Sequence, residues 1–308
     1  MRTTQNIAVI GAGLMGHGIA LTMARAGHSV TITDPIEAAR ETVKERIANS
    51  MTAMGCSEAE AARALPRISV QSTTAKAVRL ASVVFEAAPE KMPLKQAIFA
   101  EVETHAPENC ILASNTSVMP ITEIMSGLRR KSRALGTHWW NPPHMIPLVE
   151  VIKTADTEPT TAQTMFDLLQ AAGKTPVMVE KDVPGFIGNR LQNALWHEAV
   201  SLVENGICDA EAVDTVIKSS FGRRLAVLGP LENADLVGTD LTLDIHENVL
   251  HDIEARQGPS PYLQDLVARG KLGMKSGQGF RSWSDEEANA VRARVASHLT
   301  KLETILDD

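Results

Sequence analysis

The stretch NIAVIGAGLMGHGIALTMARAGHSVTITD, Asn6 to Asp34, limits the folds open to this chain more than any other. A short apolar run, Ile7 to Ile10, fits a strand buried on both faces. It meets Gly11-Ala12-Gly13-Leu14-Met15-Gly16, after which Ile19, Met23 and Ala24 carry a helical spacing up to Gly27, a helix stop. Ser29 to Thr33 then alternates as a second strand and ends on Asp34. In such a unit Gly11 permits the tight turn, Gly13 lets backbone approach a pyrophosphate, and Gly16 allows close packing of helix on strand. Ala12, Leu14 and Met15 complete the turn, and the helix N-terminus offers free N–H groups to phosphate oxygens. Asp34 lies about 18 residues beyond Gly16, where a carboxylate bonds the ribose hydroxyls of an adenosine. With Glu37 it repels a 2′-phosphate, so the expected cofactor is NAD rather than NADP.

The rest of the first half alternates. Helices are expected over Glu37 to about Met54 and around Ser57 to Ala64. SVVFEAAP, Ser82 to Pro89, reads as a further buried strand, and Leu94 to Thr104 has helix spacing. CILASNTSV, Cys110 to Val118, is a strand running into Ser/Thr/Asn turn chemistry, and a short strand over Arg133 to Gly136 leads through Thr137 into His138. Alternation of this kind predicts an α/β Rossmann domain with a doubly wound, mainly parallel sheet. Ligands of such sheets sit beyond the strand C-terminal ends. Asn115, Ser117 and His138 all fall there, and His138 opens the segment HWWNPPHMIPLVEVI, in which Glu150 sits inside an apolar run. An unpaired carboxylate there would be costly, which points to a partner.

From about Asp182 the texture changes. Lys181 to Gly206 is mostly one long helical pattern, and further helices are expected after an Asp209 cap, then over Asn233 to Ile253, Pro261 to Arg269 and Asp285 to Leu306. Residues 1–182 are thus read as the NAD-binding domain and residues 183–308 as an all-helical domain. With 44% hydrophobic and 22% charged residues among 308, the composition is that of a soluble globular enzyme. A net charge of −7 argues against a nucleic-acid surface, and the cluster RRKSR, Arg129 to Arg133, is too short to reverse that. Cys56, Cys110 and Cys208 lie in no metal or redox spacing, and no apolar run reaches the roughly 20 residues of a membrane span. A cytoplasmic protein with neither metal nor membrane partner is expected.

Several separated motifs resemble the NAD-dependent 3-hydroxyacyl-CoA dehydrogenases over nearly the whole chain. They are GAGLMG with Asp34, EAAPEKMPLK, SNTS, HWWNPP with LVEVI, VPGFIGNRL, LGPLENADLVGTD and GKLGMKSGQGF. The resemblance implies His138 as the catalytic histidine, Glu150 as its acidic partner, and Ser117 and Asn189 as further active-site residues. It places Glu90, Lys95, Asn141 and Lys275 at the NAD site, beside Asn115, and it implies a homodimer made through the helical domain. The implied reaction interconverts an L-3-hydroxyacyl-CoA and a 3-oxoacyl-CoA. A histidine titrates in the range needed to take the hydroxyl proton, and a carboxylate orients it and stabilises the imidazolium.

Three departures bear on the substrate. The helical arm Met51 to Ile68, lysine-rich in members that hold CoA phosphates, has only Arg63 and Arg67 as cations. NPPH stands where fatty-acyl members tend to have NPVP, which adds His144 beside the site. FGRRLAVLGPLE brings in Arg223 and Arg224, a pair that can clamp a carboxylate. The alternative substrate is therefore a small free hydroxy acid, as in relatives of the L-gulonate dehydrogenase and lambda-crystallin kind or the pyridine-carboxylate dehydrogenases with a similar NPPH. A non-catalytic NAD-binding protein is a further alternative, against which the intact set Ser117, His138, Glu150 and Asn189 stands. A 2-hydroxy-acid or 6-phosphogluconate type of dehydrogenase would not explain HWWNPP and VPGFIGNRL together.

Overall fold

Alternate residues of the first strand, β1 (Asn6–Ile10), enter two different cores: Ile7 and Val9 pack on one side, Ala8 and Ile10 on the other. That is the mark of a parallel sheet covered on both faces. The computed structural model describes residues 4–306. Its strands are β1, β2 (Ser29–Thr33), β3 (Ile68–Gln71), β4 (Val83–Glu86), β5 (Ile111–Ser114), β6 (Ala134–Trp139), β7 (Leu148–Ile152) and β8 (Thr175–Val179). They form one sheet in the order β3-β2-β1-β4-β5-β6-β7-β8. Every neighbouring pair is parallel except β6 with β7.

Helix α1 (Leu14–Arg25) lays Ile19, Ala20 and Met23 on the sheet. Helix α2 (Glu37–Ala53) buries Val43, Ile47 and Met51, a four-residue repeat that gives it one apolar stripe. Short α3 (Glu58–Ala64) starts with a reciprocal cap in which Ser57 and Glu60 satisfy each other's backbone N–H. The opposite face carries α4 (Thr74–Val78), α5 (Met92–His105) and α6 (Ile121–Ile124), and α7 (Pro159–Ala171) joins β7 to β8.

The chain divides into two compact units, residues 1–190 with 299–308, and residues 191–298. The division falls inside α8 (Gly188–Glu204) and inside the last helix, α13, which covers Asp285–Leu306. The second unit is helical: most of α8, then α9 (Ala210–Ser219), α10 (Pro230–Val237), α11 (Thr239–Val249), α12 (Pro261–Ala268) and the start of α13. The helical stretch expected around Asn233 to Ile253 consists of two helices, α10 and α11, parted at Gly238. Among the described residues no helix is long and apolar enough to cross a membrane.

Candidate active site

The sheet's one antiparallel step assembles the site. β7 runs back along β6 so that His138 and Glu150 are directly opposite. Opposed residues of an antiparallel pair carry their side chains on the same face, and His138 Nδ1 lies 2.7 Å from Glu150 Oε2. Both are buried, at 3% and 1% exposure, so the carboxylate has no water to satisfy it. Its other oxygen accepts from the backbone N–H groups of Ile187 at 2.8 Å and Gly188 at 3.0 Å, at the start of α8. Burial, the largest influence, pushes the Glu150 carboxyl up. The hydrogen bonds from His138, Gly188 and Ile187 together outweigh it and hold the group below the ordinary carboxylate range.

The strand expected over Arg133 to Gly136 is longer and includes His138. β6 continues through Trp139 because its pairing with β7 supplies hydrogen bonds beyond Gly136. With Nδ1 directed at Glu150, Nε2 of His138 has no hydrogen-bond partner among the described residues. The ring lies between Trp140, 5.1 Å away by centroids, and Phe186, at 5.7 Å. Phe186 is the one non-glycine with positive φ among the described residues, at 51°. A bulky residue held there is strained by about 1–3 kcal/mol. It sits next to the two N–H groups that Glu150 takes.

Two further segments are tied to this edge. The Trp139 N–H donates to Asn115 Oδ1 at 3.1 Å, which brings the end of β5 beside His138. Beyond it, Glu90 accepts from the Ser117 N–H at 2.6 Å and from the Thr116 hydroxyl at 2.9 and 3.0 Å, so one carboxylate shapes the SNTS turn. Asn189 Nδ2 donates to the Ser117 carbonyl at 2.7 Å, joining the first turn of α8 to that same turn. His138, Glu150, Ser117 and Asn189 are therefore brought together by hydrogen bonds. Asn141 follows β6 and is exposed.

Lys95 is expected at the cofactor, and the geometry corrects how it acts. It is fully buried, and its ammonium bonds Glu86 at 2.8 and 3.0 Å, the Ala88 carbonyl at 3.2 Å and the Asn115 carbonyl at 3.3 Å. No donor is left for a ligand, so Lys95 positions Asn115 and, 3.6 Å away, Glu90. Glu86, which sequence reading passed over, is its fully buried counter-charge and also accepts from Ser114 at 2.6 Å. The signal was present: VVFE ends an apolar strand on an acid. Removing one member of such a pair costs about 3–5 kcal/mol, because the other is left charged and alone.

His144 does not turn toward His138. It packs on α1 against Gly18 and His17, with ring centroids 5.6 Å apart from His17, and lines a cavity of about 800 Å³ whose walls include Arg25, Arg63 and Lys174 but not His138. Burial, then the charges of His17, Lys174 and Arg25, pushes it down to about 4. Lys275, Arg223 and Arg224 belong to the second unit and are exposed. Lys275 lies in a turn closed by the bridge of Gly273 with Gln278, and the arginines end a short 3-10 turn, Phe221–Arg223.

The turn after β1 fits a dinucleotide. Gly11 has φ 106°, and a Cβ on Gly16 would stand 1.8 Å from the Gly11 carbonyl, so the turn closes only with glycines. A Cβ on Gly13 would meet no protein atom within 4 Å, which leaves open space over the start of α1, where no side chain caps the free N–H groups. Asp34 is fixed at the end of β2 by the Ala12 N–H at 2.8 Å and the Ile36 N–H at 2.9 Å.

A Rossmann domain with this turn and acid, followed by a helical unit, is the frame of an NAD-dependent dehydrogenase, and the family and relatives it matches act on CH–OH groups. The chain belongs to the 3-hydroxyacyl-CoA dehydrogenase family: the family's NAD binding domain matches residues 6–183 and its C-terminal domain residues 185–283. It is 35% identical over 308 residues to a 5-formyl-3-hydroxy-2-methylpyridine 4-carboxylate 5-dehydrogenase of Mesorhizobium japonicum, covering 98% of each chain. It is 38% identical over 288 residues to a probable 3-hydroxybutyryl-CoA dehydrogenase of Bacillus subtilis, covering 92% of this chain and 98% of the relative. Among solved structures, a 5-formyl-3-hydroxy-2-methylpyridine 4-carboxylic acid 5-dehydrogenase described as an NAD+ dependent dismutase superposes with TM-score 0.91 at 34% identity, covering 99% of each chain.

Proposed function

We propose that the protein interconverts an alcohol and a carbonyl on a small substrate bearing a free carboxylate, with His138 as general base and acid. The observation that carries the chemistry is the buried His138–Glu150 pair, 2.7 Å apart, with the other ring nitrogen unclaimed. NAD, when bound, accepts the hydride; the chain's own residues handle the proton. Glu150 fixes the Nδ1–H tautomer, so Nε2 is the atom that takes the hydroxyl proton in oxidation and returns it in reduction. Glu150 in turn stabilises the imidazolium, and its own charge is held by Ile187 and Gly188. Trp140 and Phe186 cover the ring and keep water from competing for the proton. Ser117 and Asn189 hold the substrate oxygen as charge develops on it.

Three observations support a free acid. The pyridine-carboxylate relative matches 98% of the chain, and the solved structure of that activity superposes with TM-score 0.91. Arg223 and Arg224 have no ion-pair partner among the described residues, which suits a carboxylate clamp. The arm from Met51 to Ile68 has no lysine, and Arg67 already gives a donor to the Gly27 carbonyl at 2.8 Å. A 3-hydroxyacyl-CoA thioester is the second reading, favoured by the 38% identity to the probable 3-hydroxybutyryl-CoA dehydrogenase.

The test is NADH oxidation by the purified protein with acetoacetyl-CoA, beside a panel of free 3-oxo acids and formyl-pyridine carboxylates. Turnover of free acids alone, weakened at least tenfold in kcat/KM when Arg223 and Arg224 become Ala, is the expected result (roughly one lost charge-assisted bond). Turnover of the thioester alone would overturn the free-acid reading and leave the histidine chemistry standing.

A further inference from the structure

Arg46, on α2, reaches the dinucleotide turn from the side. Its Nη2 donates to the Ala12 carbonyl at 2.6 Å and to the Ala39 carbonyl at 3.1 Å. The residue is half-buried, and among the described residues no carboxylate pairs with it and nothing accepts from its Nε or Nη1. Arg40 on the same helix is differently placed, with Nη1 bonded to the Asp34 carbonyl at 2.7 Å and the Pro35 carbonyl at 3.1 Å. A partly buried guanidinium without a counter-charge is costly and calls for an anion.

The Ala12 peptide tells which anion. The N–H of Ala12 is taken by Asp34 and its carbonyl by Arg46, so the peptide units on both sides of its Cα are fixed. One residue on, the Gly13 carbonyl lies 3.1 Å from His17 Nδ1, and His17 Nε2 lies 3.1 Å from the Ser50 hydroxyl, one turn after Arg46 on α2. With the carbonyls drawn away to α2 and His17, the N–H groups of Gly13, Leu14 and Met15 are left for phosphate, and Arg46 reaches the same turn through the Ala12 carbonyl. We propose that Arg46 is a cofactor-binding residue, with its unbonded Nη1 donating to the diphosphate of the ADP half of NAD. It adds a full positive charge to a turn that otherwise offers phosphate only backbone N–H groups.

Phosphate in this neighbourhood has two sources, the diphosphate and a 2′-phosphate on the ribose, and the experiment separates them. Full-length protein, wild type, R46A and R46M, is titrated with ADP, 2′-AMP and adenosine in competition with NADH, read by NADH fluorescence. R46M keeps the aliphatic stem packed if R46A does not fold. The expected result is at least about tenfold weaker ADP binding with adenosine and 2′-AMP unchanged, a matching rise in KM for NAD at unchanged kcat, and recovery of most of the loss in R46K. Unchanged ADP binding would overturn the proposal. So would an equal loss for adenosine, which would make Arg46 a brace of the turn, or a loss confined to 2′-AMP.

Discussion

His138 and Glu150 face each other across the single antiparallel pairing of the sheet, and their side chains meet at 2.7 Å in a setting closed to water. Replacing His138 by Ala is expected to lower kcat by roughly 10²–10⁴-fold. NADH binding, measured by fluorescence, is expected to stay as in the wild type. Glu150→Gln keeps the shape of the side chain and gives up its charge, so kcat should fall on the order of 10²-fold, again without loss of cofactor. An H138A variant with wild-type turnover would remove His138 from the chemistry.

The same pair sets a pH dependence of stability. Glu150 in the folded chain has a carboxyl lowered from its ordinary value of 4.5. A depressed acid contributes stability that is fully present above the unfolded value and is lost as pH falls through the folded one. The difference in Tm between wild type and Glu150→Gln should therefore be constant from neutrality down to about pH 5 and shrink below it. A gap that persists at about pH 3 would show that something other than the ionised carboxylate is responsible.

The dinucleotide turn offers a contrast between two glycines three residues apart. At Gly16 a methyl group collides with the Gly11 carbonyl, so Gly16→Ala should cost about 1–3 kcal/mol of stability, read by denaturant unfolding, as well as cofactor binding. At Gly13 the methyl group meets only open space, so Gly13→Ala should fold with near wild-type stability and yet bind NADH poorly. If both variants lost stability equally, Gly13 would be serving the fold rather than the ligand.

Much of this was legible in the chain because the relevant signals are local. The turn between β1 and α1 announces itself by glycine spacing, and α13 was read over Asp285 to Leu306, the bounds it has. What escaped depends on partners distant in sequence. β3, ISVQ, is an edge strand without the continuous apolar run that marks a central strand, and β8 lies at the other edge. The last residues of β6, His138 included, are strand only because β7 pairs with them. Lys95 has the sequence context of any polar residue in a first helical turn. Its burial is decided by Glu86, nine positions earlier on the end of β4, and by the Asn115 carbonyl, twenty positions later. His144 was placed beside the site because it follows HWWNPP, but the chain turns at the two prolines and delivers it to α1.

The second unit exposes many large apolar side chains, and we propose that a second copy of the chain covers them. Leu231 is 80% exposed, Leu236 73%, Val227 70% and Ile207 68%, all within residues 191–298. Single exposed leucines are ordinary, but many large apolar side chains on one small unit mark an interface. An obligate homodimer interface buries roughly 2,000 Å² or more and is enriched in such residues. The protein should therefore sediment as a dimer at micromolar concentration. Leu231→Glu combined with Leu236→Glu places two charges where apolar contact is expected, and should yield monomers by analytical ultracentrifugation with the first unit still able to bind NADH. A wild-type protein that sediments as a monomer, or a double variant that remains dimeric, would place the interface elsewhere or remove it.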